Sequence, residues 1–133
     1  MSPQDNVQIV KEFFAAIGRG DKQGLLALAS EDIEWILPGK NWPLAGTRRG
    51  HAGLEDHFRA HEEGVETSSI DAREFIAQGD WVIVIGVANG RILATNKTFK
   101  DDWVFAIIVR DGKITYIREY IDTQAMAEAS KAD

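Results

Sequence analysis

Apolar residues recur at helical spacing near the start of the chain, where Val7, Val10, Phe13, Phe14 and Ile17 fall on one face. Ser2 and Pro3 open that segment as a capping hydroxyl and a proline at the first helical position. Asp5 sits at the positive end of the helix, and Gly18 and Gly20 end it. Asp21 then caps a second, short helix whose Leu25, Leu26, Leu28 and Ala29 bury a face, and Ser30-Glu31-Asp32 closes it. Ile33 to Leu37 reads as a strand interrupted by Pro38-Gly39. Gly50 precedes a third helix in which Leu54, Phe58 and His61 share a face, and Glu62, Glu63 and Gly64 finish it. Between them, the loop from Lys40 to Arg49 carries Trp42, Pro43 and Leu44, too apolar for a solvated connector, so it is expected to cover something.

The second half alternates in the manner of strands: Ser69 to Ala77, Trp81 to Ala88, Thr98 to Arg110 and Ile114 to Ile121. Turns are expected at Gln78-Gly79-Asp80, Asn89-Gly90 and Asp111-Gly112, two of them with dipeptides that suit two-residue hairpins. Thr123 to Ser130 adds a short alanine-rich helix. Helices first and a meander after predict an α+β fold, a curved antiparallel sheet wrapped around N-terminal helices. At 133 residues the chain is read as one domain spanning 1–133.

A two-residue loop at Asp111-Gly112 pairs Arg110 with Lys113 and sets Val104 opposite Glu119 and Asp102 opposite Ile121. One face then carries Asp102, Val104, Ala106 and Ile108 beside Thr115, Ile117, Glu119 and Ile121. The other carries Trp103, Phe105, Ile107 and Val109 beside Ile114, Tyr116, Arg118 and Tyr120. Neither is polar enough for open water, and helices can cover only one. The face with Trp103, Phe105, Tyr116, Arg118 and Tyr120 is therefore expected to pack on a second copy of the chain, the alternative being cover by the C-terminal helix. The Glu119 face turns inward and encloses a pocket.

Glu119 is the candidate of most interest, because a carboxylate among aliphatic neighbours is desolvated, its pKa rises, and it becomes fit for proton transfer near neutral pH. Asp102, on the diagonal, is read as its acidic partner in catalysis. The alternative is that Glu119 closes a structural ion pair with Arg48, Arg49 or Arg73. Trp35 and Trp42 are read either as lining the pocket mouth or as core. His57 and His61, four apart on the third helix, lack the further ligands of a metallohydrolase and read as a surface pair, so no metal site is expected.

Composition narrows the classes. Hydrophobic residues at 44% and charged residues at 27% suit an ordinary globular protein. The net charge of −6, without a Lys/Arg run, argues against nucleic acid. The absence of cysteine removes thiolate chemistry and disulfides. No signal segment or membrane span is evident, so a cytoplasmic location is the expectation, with no membrane partner.

Several runs carry a family resemblance: Phe13-Phe14-Ala15-Ala16 leading to Gly20-Asp21, Ile33-Glu34-Trp35, Leu44-Ala45-Gly46 before Arg49-Gly50, Gly79-Asp80-Trp81-Val82, and Asp111-Gly112-Lys113-Ile114 leading to Arg118-Glu119-Tyr120-Ile121-Asp122. Over essentially the whole chain the sequence resembles the SnoaL-like branch of the nuclear-transport-factor-two-like and ketosteroid-isomerase-like superfamily. That resemblance implies a cone-like sheet of the cystatin-like α+β barrel type. The fold hosts isomerases, epoxide hydrolases, cyclases, dehydratases and noncatalytic proteins.

The positions resembling the isomerase's aspartate base, tyrosine donor and protonated aspartate are Trp35, Phe13 and Val104, so its machinery is not carried over. Glu119 stands where the limonene epoxide hydrolase pattern has an aspartate, while that pattern's arginine and second aspartate fall on Gly86 and Ala88, implying extra room there. The resemblance thus implies a SnoaL-like enzyme, isomerase, cyclase or related lyase, or hydrolase-like, doing acid/base chemistry on a small apolar carbonyl compound without a cofactor. Glu119 and Asp102 are its catalytic candidates, and Phe13, Trp35, Trp42, Phe58, Gly86, Ala88, Val104, Ile117 and Ile121 its substrate contacts. The alternative is a noncatalytic ligand-binding or dimeric interaction module of the same fold.

Overall fold

A computed structural model describes residues 2–40 and 42–133. The first helix, α1 (Pro3–Gly18), opens on a reciprocal cap: Ser2 Oγ accepts from the Asp5 amide at 3.1 Å, and the Asp5 carboxylate accepts from the Ser2 amide at 3.0 Å. Such a cap contributes about 1 kcal/mol by satisfying amides that have no partner within the helix. Helix α2 (Lys22–Leu28) is capped by Asp21, whose carboxylate accepts from the Gly24 amide at 2.9 Å. Ser30-Glu31-Asp32, expected to close α2, instead belong to strand β1 (Ala29–Leu37), which alternates inward through Ile33, Trp35 and Leu37.

The remaining elements are β2 (Gly46–Arg49), α3 (Gly50–Gly64), β3 (Val65–Gln78), β4 (Trp81–Ile92), β5 (Thr98–Arg110), β6 (Lys113–Tyr120) and α4 (Thr123–Ser130). They form one six-stranded sheet in the order β2-β1-β6-β5-β4-β3. The sheet is mixed rather than wholly antiparallel, because β1 pairs parallel with β6. The long stretch of chain between those two strands supplies the crossover that parallel neighbours require. Otherwise the expected α+β cone is present: the sheet curves around α1, whose Val10, Phe13 and Phe14 pack into the concave face. Among the described residues no helix is long and apolar enough to cross a membrane.

Two hairpins form as expected. Gly79 has a positive φ of 57°, and Asp111 and Gly112 have φ of 51° and 77°, the conformation that a tight two-residue hairpin demands. Asn89-Gly90 does not turn. It continues β4, and Gly90 is there because a β-carbon would lie 2.4 Å from the Glu66 carbonyl oxygen and 2.7 Å from the Phe99 ring. The chain reverses later, near Asn96, which takes the left-handed conformation at φ 63°.

Register is the main correction. Arg110 pairs with Lys113 and Val109 with Ile114, but Ile108 then pairs with Tyr116, so Thr115 is an extra residue in β6. A one-residue bulge exchanges the faces of everything beyond it. Glu119 therefore lies opposite Phe105 and Tyr120 opposite Val104. Trp103 and Phe105, expected on the outer, partner-binding face, are buried at 3% and 4% exposure inside the cone. Asp102 is exposed, and Val104, Ala106 and Ile108 alternate with the buried positions and so lie on the outer face with Tyr116, Arg118 and Tyr120.

Inside, Phe14 stacks on Trp103 with ring centroids 5.2 Å apart, and Phe105 meets both rings edge-on. The Trp103 indole fills the space over Gly86 that the resemblance had left open: a β-carbon there would sit 2.3 Å from Trp103 Cζ2 and 2.4 Å from the Asp71 carbonyl oxygen. Helix α4 does not cover the outer face. Its Met126 and Ala129 pack with Leu37, Leu44, Val65 and Ile92 in a smaller core. The outer face keeps Trp81, Ile85 and Tyr120 exposed.

Gly86→Ala tests this packing. The Asp71 backbone cannot yield as a flexible side chain would, so urea denaturation is expected to show a loss of about 1–3 kcal/mol. Unchanged stability would mean that the β4 backbone and Trp103 are not in contact.

Candidate functional site

Between the concave sheet and α1, α2 and α3 lies a cavity of about 520 Å³, within the usual range for small-molecule sites. Trp35, Phe58, Trp103 and Phe105 form aromatic wall, and Trp42 and Leu44 reach it from the loop before β2. That loop is tied down by Arg48, whose guanidinium donates to the Leu44 carbonyl at 2.8 Å and to the Pro43 carbonyl at 3.4 Å.

Glu119 projects into this cavity from β6. The Trp35 indole Nε1 donates to Glu119 Oε1 at 3.0 Å. Among the described residues no lysine or arginine nitrogen lies within 4.0 Å of the carboxylate. The three arginines weighed as partners are engaged elsewhere: Arg48 on the loop carbonyls, Arg49 on Glu34 at 3.1 Å, and Arg73 on Asp71 at 2.9 Å. What surface Glu119 retains opens onto the cavity while protein surrounds the carboxyl group, so desolvation dominates its electrostatics. Burial pushes its pKa up from 4.5 to about 7, the indole hydrogen bond opposes, Asp101 adds to the rise and the more distant Arg48 charge counters it. A carboxyl group poised there exists in both protonation states at neutral pH and can take and return a proton.

The second acid on the wall is Asp101, where the sequence pointed to Asp102. The bulge at Thr115 makes the odd-numbered residues of β5 face inward with Glu119, so Asp101 is buried at 7% exposure and Asp102 is exposed. Asp101 accepts from the Asp122 amide at 2.7 Å, and its pKa is raised chiefly by burial, against that hydrogen bond.

His57 and His61, read as a surface pair, both line the cavity. His57 is 5% exposed, with its ring centroid 4.7 Å from that of Trp35. Burial, reinforced by the charges of Arg48 and His61 and opposed by Asp56, pulls its pKa down to about 3. Burial also lowers that of His61. Both imidazoles are neutral at pH 7. The signal for this was available, since His57 is three residues from Leu54 and four from His61, on the same buried face of α3.

Of the expected substrate contacts, Trp35, Trp42, Phe58, Ala88 and Ile121 line the cavity. Phe13 and Ile117 are fully buried in the core instead, Phe13 with its ring 5.9 Å from Trp35. Gly86 lies beneath Trp103, and Val104 faces outward. Phe99, Asp101, Trp103 and Phe105 also line it, because β5 faces the opposite way from the inferred register, and Met126 reaches it from α4. Among the described residues no group of three or more His, Asp and Glu is placed to hold a metal ion.

Comparison with known proteins agrees with this fold. The SnoaL-like domain family profile matches residues 10–117. An NTF2-like protein of Burkholderia xenovorans LB400 is 62% identical, with a TM-score of 0.88 over 98% of this chain and 99% of its own. TerC, co-crystallized with polyporic acid, is 31% identical, with a TM-score of 0.84 over 94% of this chain and 97% of its own. An uncharacterized protein of Mycobacterium tuberculosis is 28% identical over 97% of this chain and 98% of its own. With the profile covering most of the chain and the NTF2-like α+β cone in place, the protein belongs to the SnoaL-like domain family.

Proposed function

We propose that this protein is an enzyme performing acid/base chemistry, as an isomerase, cyclase or related lyase, on a small, largely apolar carbonyl compound held in the cone. The observation that carries the reading is Glu119: an acid with its pKa near 7, without an arginine partner among the described residues, in an aromatic-walled cavity. In this reading the ionised carboxylate removes a proton next to the ligand carbonyl and returns it elsewhere. Trp35 holds the carboxylate by one oxygen and leaves the other for the substrate. Asp101, not Asp102, is the acid that shares the wall. The relative co-crystallized with polyporic acid supports a carbonyl-bearing ligand class.

A noncatalytic ligand-binding role is the second reading, favoured by the apolar residues Gly86 and Ala88 where the hydrolase pattern has polar partners. Incubation with a panel of carbonyl compounds that includes polyporic acid, followed by product analysis, separates the two. A converted compound supports the enzyme, and a bound compound returned unchanged supports the module.

For any compound turned over, Glu119→Gln is expected to slow the reaction at least about a hundredfold. In the wild type, kcat/KM is expected to rise with pH through about 7, where Glu119 ionises. Turnover that is unchanged in the variant removes Glu119 from the mechanism.

Stability runs the opposite way with pH. Folding raises the Glu119 pKa above 4.5, so its favourable contribution is complete below that pH and is lost as pH rises through about 7. Glutamine suffers no such loss. Moving from about pH 5 to about pH 8, thermal denaturation should shift in favour of Glu119→Gln relative to wild type, by up to about 3 kcal/mol. A constant difference across that range would place the carboxyl group in solvent-like surroundings.

We also propose that the outer sheet face pairs two copies of the chain. Trp81, Ile85 and Tyr120 are exposed there at 42%, 42% and 47%, and Trp81 and Tyr116 pack edge-to-face. Sedimentation equilibrium is expected to give a dimer for the wild type and a monomer for Ile85→Glu. A monomeric wild type would refute the pairing.

A further inference from the structure

The cavity holds a second polar group that the proposed proton transfer does not use. His57 is buried to 5% exposure, its Nδ1 is sealed from solvent with no hydrogen-bond partner among the described residues, and its ring lines the cavity. Nδ1 is the only one of its two ring nitrogens sealed in this way, and Nε2 has no hydrogen-bond partner among the described residues. His57 also shares a neighbour with Glu119: the Trp35 ring centroid lies 4.7 Å from that of His57, while the Trp35 Nε1 binds Glu119. A flat ligand lying along the Trp35 wall is therefore within reach of both Glu119 and His57.

The surroundings also decide where the imidazole carries its proton. Arg48 from the end of β2 disfavours a positive charge on the ring, as does His61 on the same helix, and only the exposed Asp56 acts in the other sense. Glu119 binds the Trp35 indole against which the His57 ring packs. A neutral imidazole has one N–H. Placed on the sealed Nδ1 it would be a buried donor without an acceptor, which folded proteins rarely tolerate; placed on Nε2 it can be satisfied by whatever fills the cavity.

We propose that His57 is the ligand-positioning donor of this site, a neutral imidazole presenting Nε2–H to the carbonyl oxygen of an uncharged aromatic ketone or quinone whose acidic hydrogen faces Glu119. This rests on the proposed carbonyl-binding reading of the cavity and adds to it both the orientation of the ligand and its charge. Three acids line the cavity, Glu62, Asp101 and Glu119, against one lysine, Lys22, whose ammonium is already paired with Glu62 at 2.9 Å, so an uncharged compound is favoured over its anionic analogue.

Two measurements test it without requiring turnover. In nitrogen-15 spectra of the unliganded protein, His57 is expected to show the neutral Nε2–H pattern unchanged from about pH 8 to about pH 5. An imidazolium at pH 6, or a proton on Nδ1, would overturn the proposal. In calorimetric titrations, 2-acetylnaphthalene is expected to bind about threefold to tenfold more tightly than 2-ethylnaphthalene, the ratio corresponding to one net hydrogen bond. His57→Phe should abolish that preference while still binding 2-ethylnaphthalene, which reports that the cavity is intact, and Glu119→Gln should retain it. A wild type with no carbonyl preference, or a preference that survives in His57→Phe, refutes the assignment. Loss of turnover in Glu119→Gln reads separately on the proton-transfer reading.

Discussion

One extra residue in β6 decides which side chains share the cone's interior. Thr115 interrupts the ladder after Val109 pairs with Ile114, and from that point every residue of β6 faces opposite to where an unbroken hairpin would put it relative to β5. The result is an interior in which Glu119 stands among Trp103, Phe105 and Trp35 rather than beside Val104 and Ala106. Aromatic rings exclude water from a carboxyl group without offering it a counter-ion. The Trp35 indole supplies one hydrogen bond, too little to offset the desolvation. The perturbed acid is therefore a consequence of strand register and packing, and the helices matter to it chiefly by closing the cavity.

Much of the fold was legible because it is written locally. The Ser2–Asp5 capping box, the Asp21 cap and the Asp111-Gly112 hairpin each depend on residues close in sequence, and each formed as the residues imply. Three features were not local. The parallel pairing of β1 with β6 joins segments far apart in the chain, and it alone departs from the antiparallel sheet that the sequence implies. The bulge at Thr115 leaves no mark in a sequence that is apolar on both faces, where a one-residue slip costs the pattern nothing. Asn89-Gly90 carries the residues of a turn, but Gly90 serves the close approach of the Glu66 backbone and the Phe99 ring.

The site was legible in the same uneven way. Glu119 was singled out from a register that set it opposite Val104; the bulge sets it opposite Phe105 instead and displaces its partner by one position, from Asp102 to Asp101. Both β5 acids looked alike in sequence, and only the register distinguishes a buried one held by the Asp122 amide from an exposed one. His57 was underrated because two histidines on a helix with several charged residues suggest a wet face, although its spacing from Leu54 places it inside. Trp35 and His57 stand with Phe58, Trp103 and Phe105 in a largely aromatic wall that carries a few polar groups, the usual plan of a small-molecule site.

The central claim is that the carboxyl group of Glu119 is held desolvated and unpaired by charge inside the cone. Carbon-13 NMR of the glutamate side-chain carboxyl groups, with Glu119 assigned by its absence from the glutamine variant, reads that state directly through its titration. The account predicts a midpoint near 7 for Glu119. A midpoint at the ordinary glutamate value of about 4.5 would contradict it.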